Sequence, residues 1–564
     1  MRTVLLASSA LCLASALPAA AQNATWNSAP GSGDFNTAAN WTPAAVPTGT
    51  AFFGTSSMTA LSLSSVTTVG GWTFNTLSSA YSFTNSGQSL SFTGAGIDIQ
   101  GGSVAITNDN LGSLTFNNNS TAGSAAITNT TGSSFGGGRL IFNNNSTAGT
   151  ATITNRNGPV FFNDASTAGS ATILTDGGFN NVYFNNTSTA GSATITANNH
   201  AEVHFNATST AGSATLTTTN GGSLIFDNAS TAGNATITNN SGNYVSFGAT
   251  STAGNATITN NGYLNFSATS TAGRASIVNN YGEITFLGTS TAGSASITSN
   301  GNLNFYTTTT AGAATITSSG NVIFNNSSSA GSASITSSDT MQFNDSSTAG
   351  SASIANTGGV SFTGSSKAGS ARIINNNFGG VNFKDTSSAE NATITNNAQL
   401  PFADNSTASS ATITNNSDLR FTANSTAGSA TITNTSQLTF DTNTTAGNAT
   451  ISNSGNVLFD GNSTAGNAQL INTAPGAVIN FFTPGPASDG RISAGSLAGN
   501  GRFDLNGTEL TVGGNNLSTN VTGVLTGTGI ATGTSLIKTG TGTLTLSGST
   551  PIPALPASMA AGWR

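Results

Sequence analysis

Between residues 110 and 472 one phrase recurs eighteen times, and nothing else in the chain constrains its fold so tightly. A clean copy runs Val322-Ile323-Phe324-Asn325-Asn326-Ser327-Ser328-Ser329-Ala330-Gly331-Ser332-Ala333-Ser334-Ile335-Thr336. Phe marks every copy, from Phe116 to Phe459, with Ala six and nine places later and Ile or Leu eleven places later. The interval from that Ile or Leu to the next Phe varies between 8 and 15 residues. Each repeat therefore has a fixed arm and an adjustable loop. A unit this short cannot bury its own apolar face and must stack on its neighbours.

The local patterns predict strands. Leu264-Asn265-Phe266 and Ala235-Thr236-Ile237 alternate with period two, so each coil supplies at least two short strands whose inward residues stack coil on coil as ladders of Phe and of Ile. The expected fold is all-β: a single-stranded, parallel β-solenoid with about 18 regular coils of 19–26 residues, plus irregular flanking coils. At about 4.8 Å per coil the regular block predicts a rod on the order of 86 Å long. The usual crossover sense favours a right-handed coil.

Three recurring residues call for a steric or hydrogen-bonding use. The first Ala of each copy, such as Ala122 or Ala446, fits a corner too tight for a larger inward side chain. The Gly after it, replaced only by Glu390 and Ser409, points to positive φ or close packing, and those two replacements favour close fit or mild strain over a glycine-only conformation. Asn stands thirteen places after Phe in twelve copies, including Asn129, Asn279 and Asn434, and is read as an internal or corner amide ladder, with exposed turn asparagines as the alternative.

Only about 5% of the 564 residues are charged, with net charge −7 and no basic run, which argues against a nucleic-acid partner. Arg2, the apolar run from Val4 to Leu17 and Ala19-Ala20-Ala21 read as a secretory signal peptide over residues 1–21. The single Cys12 lies inside it, so an exported chain would rely on repetition and not on disulfides.

The remaining segments follow in order. Residues 22–60, with Trp26, Trp41 and Phe52-Phe53, are expected to cap the open first coil. Residues 61–109 read as irregular opening β-coils, 110–472 as the regular solenoid and 473–548 as variant terminal coils interrupted by Pro475, Pro484 and Pro486. Residues 549–564 change style abruptly, as a frayed tail or a truncated or frame-shifted end would.

Chemistry-bearing clusters are sparse, and no catalytic, cofactor-binding or metal-ligating residue is assigned. Asp164, Asp227, Asp345 and Asp460 stand just after the Phe, where Asp does turn work. Asp385, beside Lys384 and near Glu390, is the densest charged spot and reads as a solvated corner. His200, Glu202 and His204 could face one side of a strand, a weak pattern for a divalent metal. Thr-x-Thr pairs such as Thr236 with Thr238 and Thr257 with Thr259 predict two outward rows; such rows resemble the ice-binding surface of solenoid antifreeze proteins, although β propensity and solubility account for them as well.

Two stretches carry a family resemblance. Lys538-Thr539-Gly540-Thr541-Gly542-Thr543-Leu544-Thr545-Leu546-Ser547-Gly548, and Ala24-Thr25-Trp26-Asn27 with Gly33-Asp34-Phe35-Asn36-Thr37-Ala38-Ala39-Asn40-Trp41, resemble segments of Gram-negative autotransporter passengers with autotransporter-associated β-strand repeats. The resemblance implies export, a right-handed β-helix outside the cell and a C-terminal β-barrel in the outer membrane. Nothing after residue 548 supplies barrel strands, so the expectation is either an interrupted passenger or one secreted by another route.

The expected function is a non-enzymatic extracellular or cell-surface passenger, adhesive or structural, on a Gram-negative bacterium. Expected partners are host or neighbouring-cell surfaces or glycans, an outer-membrane β-barrel if the reading frame continues, and other copies of the chain end to end or side by side; no cofactor is expected. The alternative is a β-helix polysaccharide-degrading enzyme, a lyase or hydrolase, with its acids in the irregular loops or in residues 473–547. An inert spacer is a third reading.

Overall fold

The computed structural model describes residues 21–131, 136–178, 180–376, 379–527 and 534–549. The expected signal peptide and atypical tail thus lie outside the described residues except at their inner ends, as does the centre of the loop from Gly132 to Gly138. The described chain is an all-β, mostly parallel β-solenoid of many stacked coils, with one three-residue 3₁₀ turn at Ala38–Asn40. It divides into two compact units, Met1–Ile173 and Leu174–Arg564.

In the first unit, strand β1 (Ala24–Trp26) pairs antiparallel with β2 (Trp41–Thr42) and parallel with β3 (Thr50–Phe53), which in turn pairs with Thr67–Phe74. The rings of Trp26, Phe35, Trp41 and Phe53 pack mostly edge to face at 4.9–5.7 Å, and each is buried. Burial requires their indole donors to find partners. Trp26 Nε1 donates to Met58 O at 3.0 Å and Trp41 Nε1 to Phe35 O at 2.8 Å. The irregular spacing of residues 61–109 still feeds two regular ladders: Leu61, Phe83, Ile106, Ile127 and Ile153 are register partners in one, and Val69, Phe92, Phe116, Phe142 and Phe162 head to the other.

The second unit repeats one coil design. Phe184 through Phe459 form a single parallel stack with centroids 4.6–4.9 Å apart and planes within 3–11°. That spacing is the strand separation itself, so in-register pairing forces ring upon ring. Ile195 through Leu470 make the second ladder, and both sets are fully buried or nearly so. Because the core is two side chains deep, the connecting corners must stay small, and the Ala residues at both corner positions are 0% exposed.

Beside the Phe and Ile ladders expected from the sequence, the backbone forms another. From Thr189, Thr210 and Thr231 onward to Thr464, with Ser329, Lys367 and Ser388 among the occupants, this position bridges in parallel to its counterpart in the adjacent coil. Each of these threonines also closes the next bend: Thr231 Oγ1 accepts from Gly233 N at 3.0 Å, and Thr252 Oγ1 from Gly254 N at 3.0 Å. That bond accounts for the recurring Thr-Ala-Gly as a side-chain turn.

The glycine of that phrase has positive φ in every described coil, near +61° at Gly233, Gly254 and Gly428. Glu390 and Ser409 adopt the same region, at +45° and +51°. The bend therefore takes left-handed backbone and is also close-packed, since a Cβ on Gly254 would meet Gly233 O at 2.8 Å; Glu390 and Ser409 accept it, so the position is strained without being glycine-only, in line with the sequence reading. A second left-handed position follows each Phe by two places and is taken by Asn326, Asp345, Asp385 or Asp404 among others. These side chains accept from the backbone one coil back, as in Asn326 N to Asp345 Oδ2 at 2.9 Å and Gly364 N to Asp385 Oδ2 at 2.8 Å.

The amide ladder is internal. Asn239, Asn260 and Asn279 are fully buried, with Nδ2 of each of the first two donating to Oδ1 of the next at 2.7 and 2.8 Å. A second run goes from Asn356 to Asn472, and in the first unit the ladder reaches back to Asn85 and Asn108. Where Ser299 takes the position, Asn279 Nδ2 donates to its hydroxyl at 3.0 Å, so the rung survives.

Beyond residue 473, Phe481 extends the ring stack at 5.4 Å from Phe459, and Arg491–Ala494, Glu509–Val512 and Ser535–Lys538 form a separate three-stranded parallel sheet. The first strand of that sheet touches the third ladder, with Thr464 Oγ1 3.4 Å from Ser493 Oγ. Lys538 is only 4% exposed, and its ammonium donates to the carbonyls of Thr539 and Gly540. The lysine of the Lys-Thr-Gly-Thr-Gly stretch thus ties down its own turn, where Gly540 has φ +67°.

Candidate functional surface

The residues singled out from the sequence mostly have structural work. Val203 and Phe205 are buried, and Glu202 and His204, alternating with them, face outward and pair at 2.8 Å. The His204 ring also stacks on Tyr183 at 4.9 Å. His200 sits instead in a left-handed turn at φ +66°, packed against Gly221. The two histidines are therefore not convergent ligands. Among the described residues no group of three or more His, Cys, Asp or Glu could hold a metal ion.

The charged spot near Asp385 also separates into local pairs. Glu390 binds Lys367 at 2.9 Å, which raises the lysine pKa, whereas Asp385 serves the backbone of the preceding coil. Lys384 is exposed and forms no ion pair among the described residues. Elsewhere Arg420 Nη2 lies 2.6 Å from Asp441 Oδ2; this hydrogen bond lowers the carboxyl pKa against a smaller opposing effect of burial. Asp227 and Asp460 accept from the N–H of the residue that follows each, both at 2.7 Å. Such acids are turn formers, not convergent catalytic pairs.

The threonine rows are in register, with Thr194, Thr215, Thr236 and Thr257 as partners in one row and Thr196, Thr217, Thr238 and Thr259 in the other. The first row is exposed and the second half-exposed. Ser276 and Val278 end this run, and Arg372 with Ile374 interrupts the face further on.

One constellation was not foreseen. Three places before Phe, the outward positions of successive coils carry Ser223, Tyr244, Tyr263, Glu283 and Asn302 in register. Tyr244 and Tyr263 stack at 4.8 Å and remain 47% and 41% exposed, while Tyr281, in the turn before Glu283, is 89% exposed. A cavity of about 230 Å³ lies here, with Asn261, Tyr263, Tyr281, Glu283 and Asn302 among its lining residues. Glu283 is fixed by its neighbours: Oε1 accepts from Thr285 Oγ1 at 3.0 Å and from Asn304 Nδ2 at 2.9 Å. Asn302 Oδ1 accepts from Asn321 Nδ2 at 3.3 Å, which orients that amide too. The readable signal was position, since tyrosine and Glu fall at one fixed offset from the ladder Phe.

No family model matches this chain, and no curated protein does either.

Proposed function

We propose that this chain is a non-enzymatic extracellular or cell-surface β-helical protein whose outward rows make adhesive or structural contacts. The observation that carries this reading is the in-register repetition of neutral hydrogen-bonding side chains along outward positions, coil after coil, as in Thr393, Thr412 and Thr431. A surface of that kind offers many weak, equivalent contacts, and their sum through multivalency suits attachment better than turnover of one substrate. The resemblance to autotransporter passengers supplies the setting: export from a Gram-negative cell and display at or beyond its outer membrane.

Attachment of beads coated with the purified chain to glycan-coated and cell surfaces tests this reading. The full chain attaches and a chain lacking residues 110–472 does not. Undiminished attachment by the deleted chain contradicts an adhesive role for the coils. Release of reducing or unsaturated ends from a glycan panel contradicts the non-enzymatic part.

A further inference from the structure

We propose that the tyrosine-lined cavity of the second unit is a binding site for an uncharged oligosaccharide, one sugar ring seated beside Tyr263 and Tyr281 with its hydroxyls on Glu283, Asn302 and Asn261. This deepens the adhesive reading and rests on it for its biological setting, while the binding itself is a property of the cavity.

Size comes first. At about 230 Å³ the cavity falls below the roughly 300–1,000 Å³ of clefts that bury drug-sized ligands, and it suits one ring of a chain that runs on along the surface. The register row continues on either side, with a rung about every 4.8 Å, close to the length of one pyranose. The site thus presents a track as well as a pocket.

Chemistry narrows the occupant. Tyr244, Tyr263 and Tyr281 stay exposed on a coil whose ladder Phe are completely buried, and exposed aromatic faces bind the C–H face of a sugar by dispersion and weak C–H contacts. The flanking amides both donate and accept, as sugar hydroxyls do, and the Glu283 carboxylate accepts two more bonds than Thr285 and Asn304 use. No Lys or Arg lines the cavity, and Glu283 repels anions, so acidic glycans are disfavoured. A cation would meet Glu283 but only two flanking rings on an open surface, short of the aromatic cage that quaternary ammonium recognition uses.

The test is calorimetric titration of the full chain with cellohexaose, xylohexaose, maltohexaose and chitohexaose, with saturation-transfer NMR on the ligand. At least one sugar binds saturably through its ring C–H protons, and Tyr281→Ala and Glu283→Gln each weaken binding about tenfold, the scale of one aromatic or charge-assisted contact. Tyr281 is 89% exposed, so its truncation leaves the coil folded, which circular dichroism checks. Phe482→Ala, at a ring 64% exposed outside the cavity, leaves binding unchanged. Failure of all four sugars to bind, equal binding by the double variant Tyr263→Ala with Tyr281→Ala, or preference for hexalysine over every sugar overturns the proposal. The two readings fail separately: sugar binding without bead attachment removes the adhesive role alone, and attachment without sugar binding removes the cavity alone.

Discussion

Asn415 Nδ2 donates to Asn434 Oδ1 at 2.7 Å one coil on, while Asn415 Oδ1 accepts from Asn396 Nδ2 at 2.8 Å one coil back. The same Nδ2 reaches the carbonyls of Ser417 and Gln437, so one buried amide serves three coils. Asn415→Ala leaves buried partners unmet at about 1–3 kcal/mol each. Asn415→Ser, which repeats what Ser299 does beside Asn279, is the milder change. Urea denaturation of the two variants should rank them in that order, and equal destabilisation would contradict a hydrogen-bonded ladder.

Phe286 lies between Phe266 at 4.8 Å and Phe305 at 4.7 Å and is completely buried. Phe286→Ala removes its transfer energy and opens a cavity, for a cost of about 3–5 kcal/mol. Since each coil contacts chiefly its neighbours, hydrogen exchange should rise most in the two adjoining coils. A uniform rise across the second unit would show cooperativity beyond nearest neighbours.

Ser409 occupies left-handed backbone at φ +51°, where a Cβ costs about 1 kcal/mol. Ser409→Gly should therefore stabilise the chain by roughly that amount. Glu390→Gly relieves the same strain at φ +45° and loses the exposed pair with Lys367, worth little by itself, so it also stabilises. Thermal melts of both variants check the sign; destabilisation by Ser409→Gly would place the bend's demand elsewhere.

Asp34 organises the turn that presents Trp41. Burial raises its pKa, but the hydrogen bonds from Thr37, Asn36 N–H and Ser64 together outweigh it, and the net shift is downward. With the folded pKa below the unfolded one, the ionised form stabilises the native state above the ordinary carboxylate range, and that contribution disappears as pH falls through the folded value. The effect is small because the side chain is half-exposed. Melts followed by the fluorescence of Trp26, Trp41 and Trp72 should find wild type more stable than Asp34→Asn near neutral pH, with the difference closing as pH falls through the folded pKa. Identical acid profiles would show that the turn holds without the charge.

The sequence disclosed those features whose physical cause is periodic. Phe, Ile and the two Ala recur at fixed offsets because inward positions of a stacked coil tolerate little variation, and the amide ladder follows from the same logic. The third ladder was less legible because one residue per coil forms it, too few for an alternating pattern to register. Buried Ser hid for another reason. Ser or Thr stands four places after each of the eighteen Phe and is almost completely buried at Ser230, Ser251 and Thr309 alike, yet in a Ser-rich chain it reads as loop composition. At Ser290 and Ser425 the hydroxyl donates to the Phe carbonyl of the previous coil at 3.1 and 3.0 Å, a bond that Ser230 and Ser251 do not make. The tyrosine cavity was obscured by loops of changing length, which scatter Tyr263 and Tyr281 in sequence while the coil brings them to one corner.

In-register stacking of successive coils sets the Phe, Ile, Thr and Asn ladders alike, and paired cysteines test it most directly. Thr412 and Thr431 are register partners on an exposed face, whereas Thr433 lies two residues further along its strand. In a chain with Cys12 replaced by Ser, Cys at 412 and 431 would have Cα atoms about 4.8 Å apart, inside the disulfide range, and Cys at 412 and 433 roughly 8 Å apart, outside it. Mild oxidation should close the first pair rapidly and leave the second reduced. Equal yields, or preferential closure of the second pair, would contradict a solenoid in which the ladders stand one coil apart in register.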